Sequence, residues 1–255
     1  MEVRFLGTHN LESATSRLVC LLIDGVIAVD AGSLTSGLTF EEQREVKAIL
    51  LSHHHFDHIR DLNTFGLASA YSSTTPVYAP QPVLEALTKH FFQGELYPDF
   101  LHFPQERPAL KLCHVEPFKK ASILDYTVVP LPVPHSTFAY GYEVTSPQGR
   151  KLFYSGDTGP GLASIWEHIS PHLIIAEVTA SNKFEDTICR NGHLSPNLLH
   201  QELRSFKQLK GFLPPVVLLH FNPRLREEIR GEVMAIAQDL DAQITLAQDG
   251  MRLKI

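Results

Sequence analysis

The feature that most constrains this chain is a histidine-rich heptapeptide, Ser52-His53-His54-His55-Phe56-Asp57-His58. It directly follows the apolar run at residues 46–51, which is typical of a buried strand. Imidazoles and a carboxylate therefore come at the point where the backbone leaves a sheet. Such ligands, without a thiolate, suit zinc, manganese or iron. The heptapeptide predicts a metal site at the end of a buried strand.

The spacing within the heptapeptide divides its side chains between two ions. Because residues two apart in an extended chain point to the same side, His53 and His55 can bind one ion together. Asp57 and His58 continue into the next turn and can serve a second ion. His54 is expected to point the other way, into packing or a hydrogen bond that supports a ligand.

Composition narrows the protein class. The chain of 255 residues has 14 histidines and a net charge of -6 at pH 7. This charge argues against a nucleic-acid-binding surface, which usually carries a basic stripe. The three cysteines, Cys20, Cys113 and Cys189, are far apart and form no C-x-x-C pair. This pattern indicates a reducing compartment, and the cytoplasm is the predicted location. No apolar run approaches the length of a membrane span, so we expect no membrane association.

Hydrophobic periodicity predicts strands at residues 3–6, 17–23, 26–29, 46–51, 76–79, 110–115, 126–133, 139–145, 151–154, 173–178, 216–219, 244–246 and 251–255. Helices are predicted at 59–70, 83–92, 163–168 and 225–240, with a helix or turn at 39–45 and a helix that Ser195 caps. Asp30-Ala31-Gly32 is interpreted as a turn. Residues 93–109, rich in proline and aromatics, predict a lid or a packed surface loop. Strands followed by helices, twice over, predict two face-to-face sheets with helices outside, in a single domain spanning 1–255.

Three further strand ends carry potential ligands. His135 follows the predicted strand at 126–133, Asp157 follows 151–154, and His220 follows 216–219. A lone histidine at a strand end is usually a satisfied polar residue. Four such positions in one chain, all with ligand side chains, instead predict one shared metal site.

The set His53-x-His55-x-Asp57-His58, His135, Asp157 and His220 resembles the metallo-β-lactamase superfamily. The similarity extends from Leu6-Gly7-Thr8 to Asp249-Gly250-Met251. It implies an α+β fold, the αββα four-layer sandwich, with two mixed β-sheets flanked by helices. It also implies two divalent ions, with zinc as the first choice and manganese or iron as alternatives. By this resemblance one ion is held by His53, His55 and His135, the other by Asp57, His58 and His220, and Asp157 bridges them.

A finer resemblance concerns Ala176-Glu177-Val178-Thr179 and Gly192-His193-Leu194-Ser195-Pro196. These segments are similar to ribonuclease Z, class II cyclic-nucleotide phosphodiesterases and the cyclic phosphodiesterase of phosphonate metabolism. The resemblance implies that Glu177 orients His193 as an acid facing the scissile phosphate, and Asp57 could accept a proton from a metal-bridging water. His193 could instead be a capping residue, and Ser136 could bind a phosphate oxygen or cap a turn.

The chain departs from the family pattern at two positions. His9 stands where the first loop often has glycine, and this places an extra imidazole near the pocket with no assigned role. Asp61 stands where many members have glycine, and it is expected to alter the entry to a helix. Cys20 and Cys113 do not form the additional zinc site of the phosphonate enzyme.

The function expected from these resemblances is hydrolysis of a small or cyclic phosphodiester by a protein that could form a homodimer. The main alternative is a tRNA 3′-end endonuclease, but only 21 residues separate His135 from Asp157, too few for a tRNA-binding arm. Lactone, thioester or β-lactam hydrolysis is a second alternative, in which Glu177 and His193 have no evident task. A flavo-diiron protein is disfavoured because His55 stands where that group has glutamate, and a non-catalytic metal-binding protein remains a further alternative.

Overall fold

The computed structural model describes residues 1–255 and contains fourteen strands. They are β1 (Glu2–Gly7), β2 (Cys20–Ile23), β3 (Ile27–Val29), β4 (Ala48–Leu50), β5 (Thr75–Ala79), β6 (Leu110–His114), β7 (Ala121–Ile123), β8 (Tyr126–Val133), β9 (Ala139–Thr145), β10 (Lys151–Tyr154), β11 (Leu173–Glu177), β12 (Val216–Leu219), β13 (Ile244–Leu246) and β14 (Arg252–Lys254). One sheet has the order β14-β1-β2-β3-β4-β5-β6 and the other β13-β12-β11-β10-β9-β8-β7. Each sheet is mixed: β3 to β6 and β10 to β13 are parallel, whereas the remaining pairs are antiparallel.

Eight α-helices connect and flank the sheets. They are α1 (Phe40–Glu45), α2 (Phe56–Ile59), α3 (Leu62–Ser69), α4 (Gln81–Ala86), α5 (Ala163–Trp166), α6 (Glu185–Arg190), α7 (Pro196–Lys210) and α8 (Arg226–Asp239). Local sequence explains where several begin. Thr39 and Glu42 form a capping box at α1, and Ser195 caps α7, with Pro196 as the first helical residue. None of the helices has the length and apolar character that a bilayer span requires.

Three apolar layers hold the elements together. Along β2, Leu21 and Ile23 face a cluster between the sheets, while Cys20 and Leu22 face a second cluster under α1 to α4. This alternation is the period of two that a strand imposes. Trp166 and Phe206 belong to a third cluster, which packs α5, α7 and α8 on the second sheet. The predicted αββα sandwich is therefore confirmed.

The predicted bounds of some helices differ from the observed ones. The continuous helix predicted at 59–70 is wrong, because the chain breaks between α2 and α3. At this break Asp61 accepts hydrogen bonds from the backbone N–H groups of Thr35 and Ser36, so its side chain ties the helix entry to another loop. The helix predicted at 83–92 begins earlier and ends in a π-helical turn, Leu87–Phe91. The prediction missed β7 and α6.

The segment at 93–109 forms a loop that packs on the first sheet. Phe100 is fully buried in the outer cluster of that sheet, and its carbonyl accepts a hydrogen bond from Leu110 N–H. Leu96, by contrast, is 95% exposed. These contacts favour the packed surface loop over the lid.

The carboxyl ends of several strands meet at one edge of the sandwich. The strands β10, β11 and β12 run parallel and adjacent, so the residues that follow them emerge side by side. The first sheet is tied to the same edge, because Tyr140 N–H donates to Ser52 O and the Tyr142 hydroxyl donates to Leu51 O. Parallel pairing thus brings together side chains that are distant in sequence.

Candidate metal centre

One group of ligand atoms comes from His53, His55, His135 and Asp157, and these atoms all lie within 4.8 Å of one another. His135 Nε2 is 3.2 Å from His55 Nδ1, and His53 Nε2 is 3.6 Å from Asp157 Oδ2. The heptapeptide and the two later strand ends therefore converge on one point.

A second group consists of Asp57, His58, Asp157 and His220, again within 4.8 Å. His220 Nε2 lies 3.2 Å from both Asp57 Oδ2 and Asp157 Oδ2, and His58 Nε2 lies 3.2 Å from Asp157 Oδ1. Asp157 belongs to both groups: its Oδ2 faces His53 of the first group and His220 of the second, and its Oδ1 faces His58. The arrangement suits two cations with Asp157 between them.

Hydrogen bonds on the far side of three of the imidazoles hold those rings in place. His58 Nδ1–H donates to Asp30 Oδ2 at 2.7 Å, His135 Nδ1–H to Gly192 O at 2.8 Å, and His220 Nδ1–H to Thr179 Oγ1 at 2.9 Å. Such partners set the tautomer and leave the other ring nitrogen free for a metal.

Asp30 is the principal residue that the sequence interpretation missed. It is fully buried, and its carboxylate accepts hydrogen bonds from Ser52 N–H, the Ser52 hydroxyl, the Tyr154 hydroxyl and His58. Interpreting it only as a turn residue was therefore incomplete. Its position was a usable signal, because it directly follows the apolar run at 26–29, as the ligands follow theirs.

The buried donor set fits divalent ions. His53 Nε2, His58 Nε2 and Asp157 Oδ1 are buried and have no hydrogen-bond partner, which is costly unless a cation engages them. Burial lowers the pKa of His53 well below its usual value and that of His55 to about 4, so both are neutral, as ligands must be. Burial raises the pKa of Asp57, but His58 and His220 outweigh it and bring the value to about 2.

His193 and Glu177 form a dyad against this centre. His193 Nδ1–H donates to Glu177 Oε1 at 2.7 Å, and the fully buried Glu177 also accepts from Thr158 N–H and the Thr179 hydroxyl. The His193 ring stacks on His220 with centroids 5.3 Å apart. Burial lowers the pKa of His193, but the attraction of Glu177 outweighs it and raises the value to about 9. The Glu177 carboxylate therefore favours the protonated form of His193.

Gly192 allows the dyad and the first ligand group to approach each other. Its φ of +78° lies in the left-handed region, and a Cβ there would lie 2.6 Å from Ser136 N and 2.8 Å from His135 Cα. Only glycine fits this position without displacing His135. The Gly-His-Leu-Ser-Pro segment thus supports a ligand as well as carrying His193.

Three further residues that the sequence singled out also lie outside both ligand groups. His54 is half-buried, and its Nδ1 has no hydrogen-bond partner. Nδ1 of His9 lies 3.2 Å from Thr8 Oγ1 and 3.4 Å from Asp249 Oδ1. Ser136 is exposed, and its hydroxyl makes no hydrogen bond within the protein.

The comparison with known proteins supports the fold described above. The family model described as the beta-lactamase superfamily domain matches residues 21–221. The unliganded structure of yeast PDE1 superposes with a TM-score of 0.84 at 17% identity, covering 100% of this chain and 99% of that chain. Human tRNase Z, short form, gives a TM-score of 0.71 at 20% identity, covering 100% and 99%.

One curated protein matches over a shorter stretch. This octanoyltransferase of Porphyromonas gingivalis (strain ATCC BAA-308 / W83) is 28% identical over 141 residues. The matched stretch is 53% of this chain and only 27% of that protein.

Proposed function

Because the chain belongs to the beta-lactamase superfamily, we propose that it is a dinuclear metal-dependent hydrolase of a small or cyclic phosphodiester. The observation that carries the proposal is the Glu177–His193 dyad, which lies within 4.8 Å of ligand atoms of Asp157 and His220. Cleavage of a phosphodiester places negative charge on the leaving oxygen. An imidazolium held beside the metal centre is suited to protonating that oxygen.

Each ligand group would hold one divalent ion. His53, His55 and His135 would bind one, Asp57, His58 and His220 the other, and Asp157 both. When bound, such a pair supplies Lewis acidity at the phosphoryl group and makes hydroxide available near neutral pH. Zinc is the proposed metal because imidazole and carboxylate ligands suit it, and manganese and iron are the alternatives.

The chain's own groups would handle the protons. His193 would donate from Nε2 to the leaving oxygen, while Glu177 holds the ring in position through Nδ1. Asp57 is a quarter exposed, and its Oδ2 faces His220. Its other oxygen, Oδ1, receives no hydrogen bond from the protein, so Asp57 could also accept a proton from the attacking water.

The structure offers less support for a tRNA 3′-end endonuclease. The residues between His135 and Asp157 consist mainly of β9, a short turn and β10, and form no protruding arm. The net charge of -6 also gives little attraction for RNA. Lactone or thioester hydrolysis would use the metal ligands, but it would give Glu177 and His193 no catalytic role.

A direct comparison of substrates tests the proposal. The purified, metal-loaded protein would be assayed on a cyclic nucleotide, bis(p-nitrophenyl) phosphate, pre-tRNA, a lactone and a thioester, with metal content measured in the same samples. We expect about two ions per chain and turnover of the first two substrates. Rapid, specific cleavage of pre-tRNA would reverse the ranking, and hydrolysis confined to the carboxyl esters would refute a phosphodiesterase.

A further inference from the structure

A polar cavity of about 490 Å³ lies beside the metal centre but contains none of its ligands. Its walls include His9, Thr15, Ser16, Arg226, Arg230 and Gln248. His9 forms a β-bridge with Phe221, the residue after the ligand His220. We infer that this cavity binds the phosphate group of a small phosphorylated ligand, at a site separate from the metal centre.

Arg226 is the central residue of the cavity. Its guanidinium lies 5.2 Å from the centroid of the fully buried Phe221 ring, and the side chain is half-buried. No carboxylate comes within salt-bridge distance, and no protein group accepts a hydrogen bond from it. An arginine held against an aromatic ring keeps the N–H groups of its planar guanidinium free for a bidentate contact with an acceptor such as phosphate.

Arg230 adds a second positive charge one turn further along α8. Its one carboxylate neighbour is Glu227, 3.6 Å away, and both side chains are well exposed, so the pair is weak. Both arginines lie in the first five residues of α8, where the helix dipole disfavours cations. Helix stability therefore does not explain their presence. The first turn also carries Glu227 and Glu228, but Glu228 pairs with Lys183 and Glu227 pairs only weakly with Arg230. Arg226, which no carboxylate pairs, therefore makes this end of α8 attractive to an anion.

The one acidic residue in the cavity wall, Asp249, does not neutralise these arginines. Its carboxylate accepts hydrogen bonds from the Thr8 hydroxyl and Arg17 N–H, each at 2.8 Å, and lies 3.8 Å from Arg17 Nε. Burial raises the pKa of Asp249, but His9 and Thr8 outweigh it and lower the value. Asp249 is thus balanced by its own partners, and the cavity keeps an excess of positive charge.

The lining of a neighbouring cavity indicates what the ligand carries besides its phosphate. A second cavity of about 260 Å³ shares Arg226, Arg230 and Gln248, and its other walls include Val233 and Leu246. A ligand whose phosphate contacts the arginines could place an apolar group there. A nucleoside monophosphate combines a phosphate with a flat aromatic base, whose faces can pack against apolar side chains.

Calorimetric titration with AMP and with inorganic phosphate tests the site. The variants are the double substitution Arg226→Gln/Arg230→Gln and, as a control, Arg204→Gln, an exposed arginine on α7 outside the cavity. Each protein is titrated metal-loaded and again with chelator, because chelation removes binding at the metal centre only. Thermal melting and metal content show that the variants are folded.

We expect a chelator-resistant binding event in the wild type and in Arg204→Gln. In the double variant its affinity should fall by about 10- to 100-fold, the loss expected for hydrogen bonds to charged groups. Equal affinity in the double variant and the control, or no chelator-resistant binding at all, would overturn the site. Equal affinities for AMP and phosphate would overturn the assignment of the apolar group. The readout is binding, so the result does not depend on phosphodiesterase activity.

Discussion

The two halves of the candidate metal centre are built in different ways. The first half supplies four candidate ligands from residues 53–58, at the end of a single strand. The second half supplies one side chain per strand end, with His135 after β8, Asp157 after β10 and His220 after β12. The first arrangement depends on local spacing, whereas the second depends on which strands become neighbours.

The groups that support the ligands differ in the same way. In the first half a buried carboxylate, Asp30, holds His58 and Ser52. In the second half neutral groups do this work, since His135 donates to the Gly192 carbonyl and His220 to the Thr179 hydroxyl. A carboxylate accepts a stronger hydrogen bond from an imidazole N–H than a neutral carbonyl or hydroxyl oxygen does. The contrast indicates that a charged group holds the supported imidazole of the first half, whereas neutral groups orient the imidazoles of the second half.

The largest effect is expected where the halves meet. Asp157→Asn removes the charge shared by both ligand groups, so we expect metal content to fall well below two ions and turnover to drop by at least about 10,000-fold. Elemental analysis and a phosphodiester assay measure this. The control is Glu143→Gln, a buried carboxylate on the same sheet that pairs with Lys151. If Asp157→Asn kept both ions, the shared-ligand role would be wrong.

The next effect concerns a residue of the second half that binds no metal in our proposal. His193→Ala should slow hydrolysis of a cyclic nucleotide by roughly 100- to 10,000-fold, because its leaving alkoxide needs a proton. Bis(p-nitrophenyl) phosphate should be affected far less, since p-nitrophenolate leaves readily as the anion. Equal losses on the two substrates, with metal content intact, would argue against an acid role for His193.

A matched pair of substitutions compares the supports of the two halves. Asp30→Asn should weaken metal affinity or activity by about 10- to 100-fold, and Thr179→Val should have an effect near the lower end of that range. The reason is that Asp30 supplies a charge and several hydrogen bonds, whereas Thr179 supplies one hydroxyl between His220 and Glu177. Competition with a chelator measures the affinities. A larger loss in Thr179→Val would reverse the proposed contrast.

The smallest effect concerns helix caps. Ser195→Ala and Thr39→Ala should each lower the free energy of unfolding by about 1 kcal/mol, because each removes a side-chain acceptor at a helix start. Ser195 lies two residues after His193, whereas Thr39 precedes α1, so only Ser195→Ala should also reduce turnover. Denaturant unfolding and steady-state kinetics separate the two effects. A matching loss of turnover in Thr39→Ala would mean that activity follows stability alone.

Much of this molecule could be predicted from local pattern. Short apolar runs predicted β8, β9, β10 and β12 with the observed bounds, and Ser195-Pro196 predicted the start of α7. The heptapeptide indicated a metal site because its ligands are close in sequence. Positions after predicted strands indicated His135, Asp157 and His220 as potential ligands. The resemblance to a known family, by contrast, was needed to name Glu177 and His193.

The features of the site that depend on contacts between distant segments could be seen only in the tertiary structure. Only the parallel pairing of β10, β11 and β12 and the packing of the two sheets bring the ligands of residues 53–58 to the same point as His220. The same packing made Asp30 a buried support instead of a turn residue, and divided a predicted helix at Asp61. It also placed Arg226 and His9 around one cavity. Local periodicity reports which face of an element is buried, but it does not contain the positions of elements relative to one another.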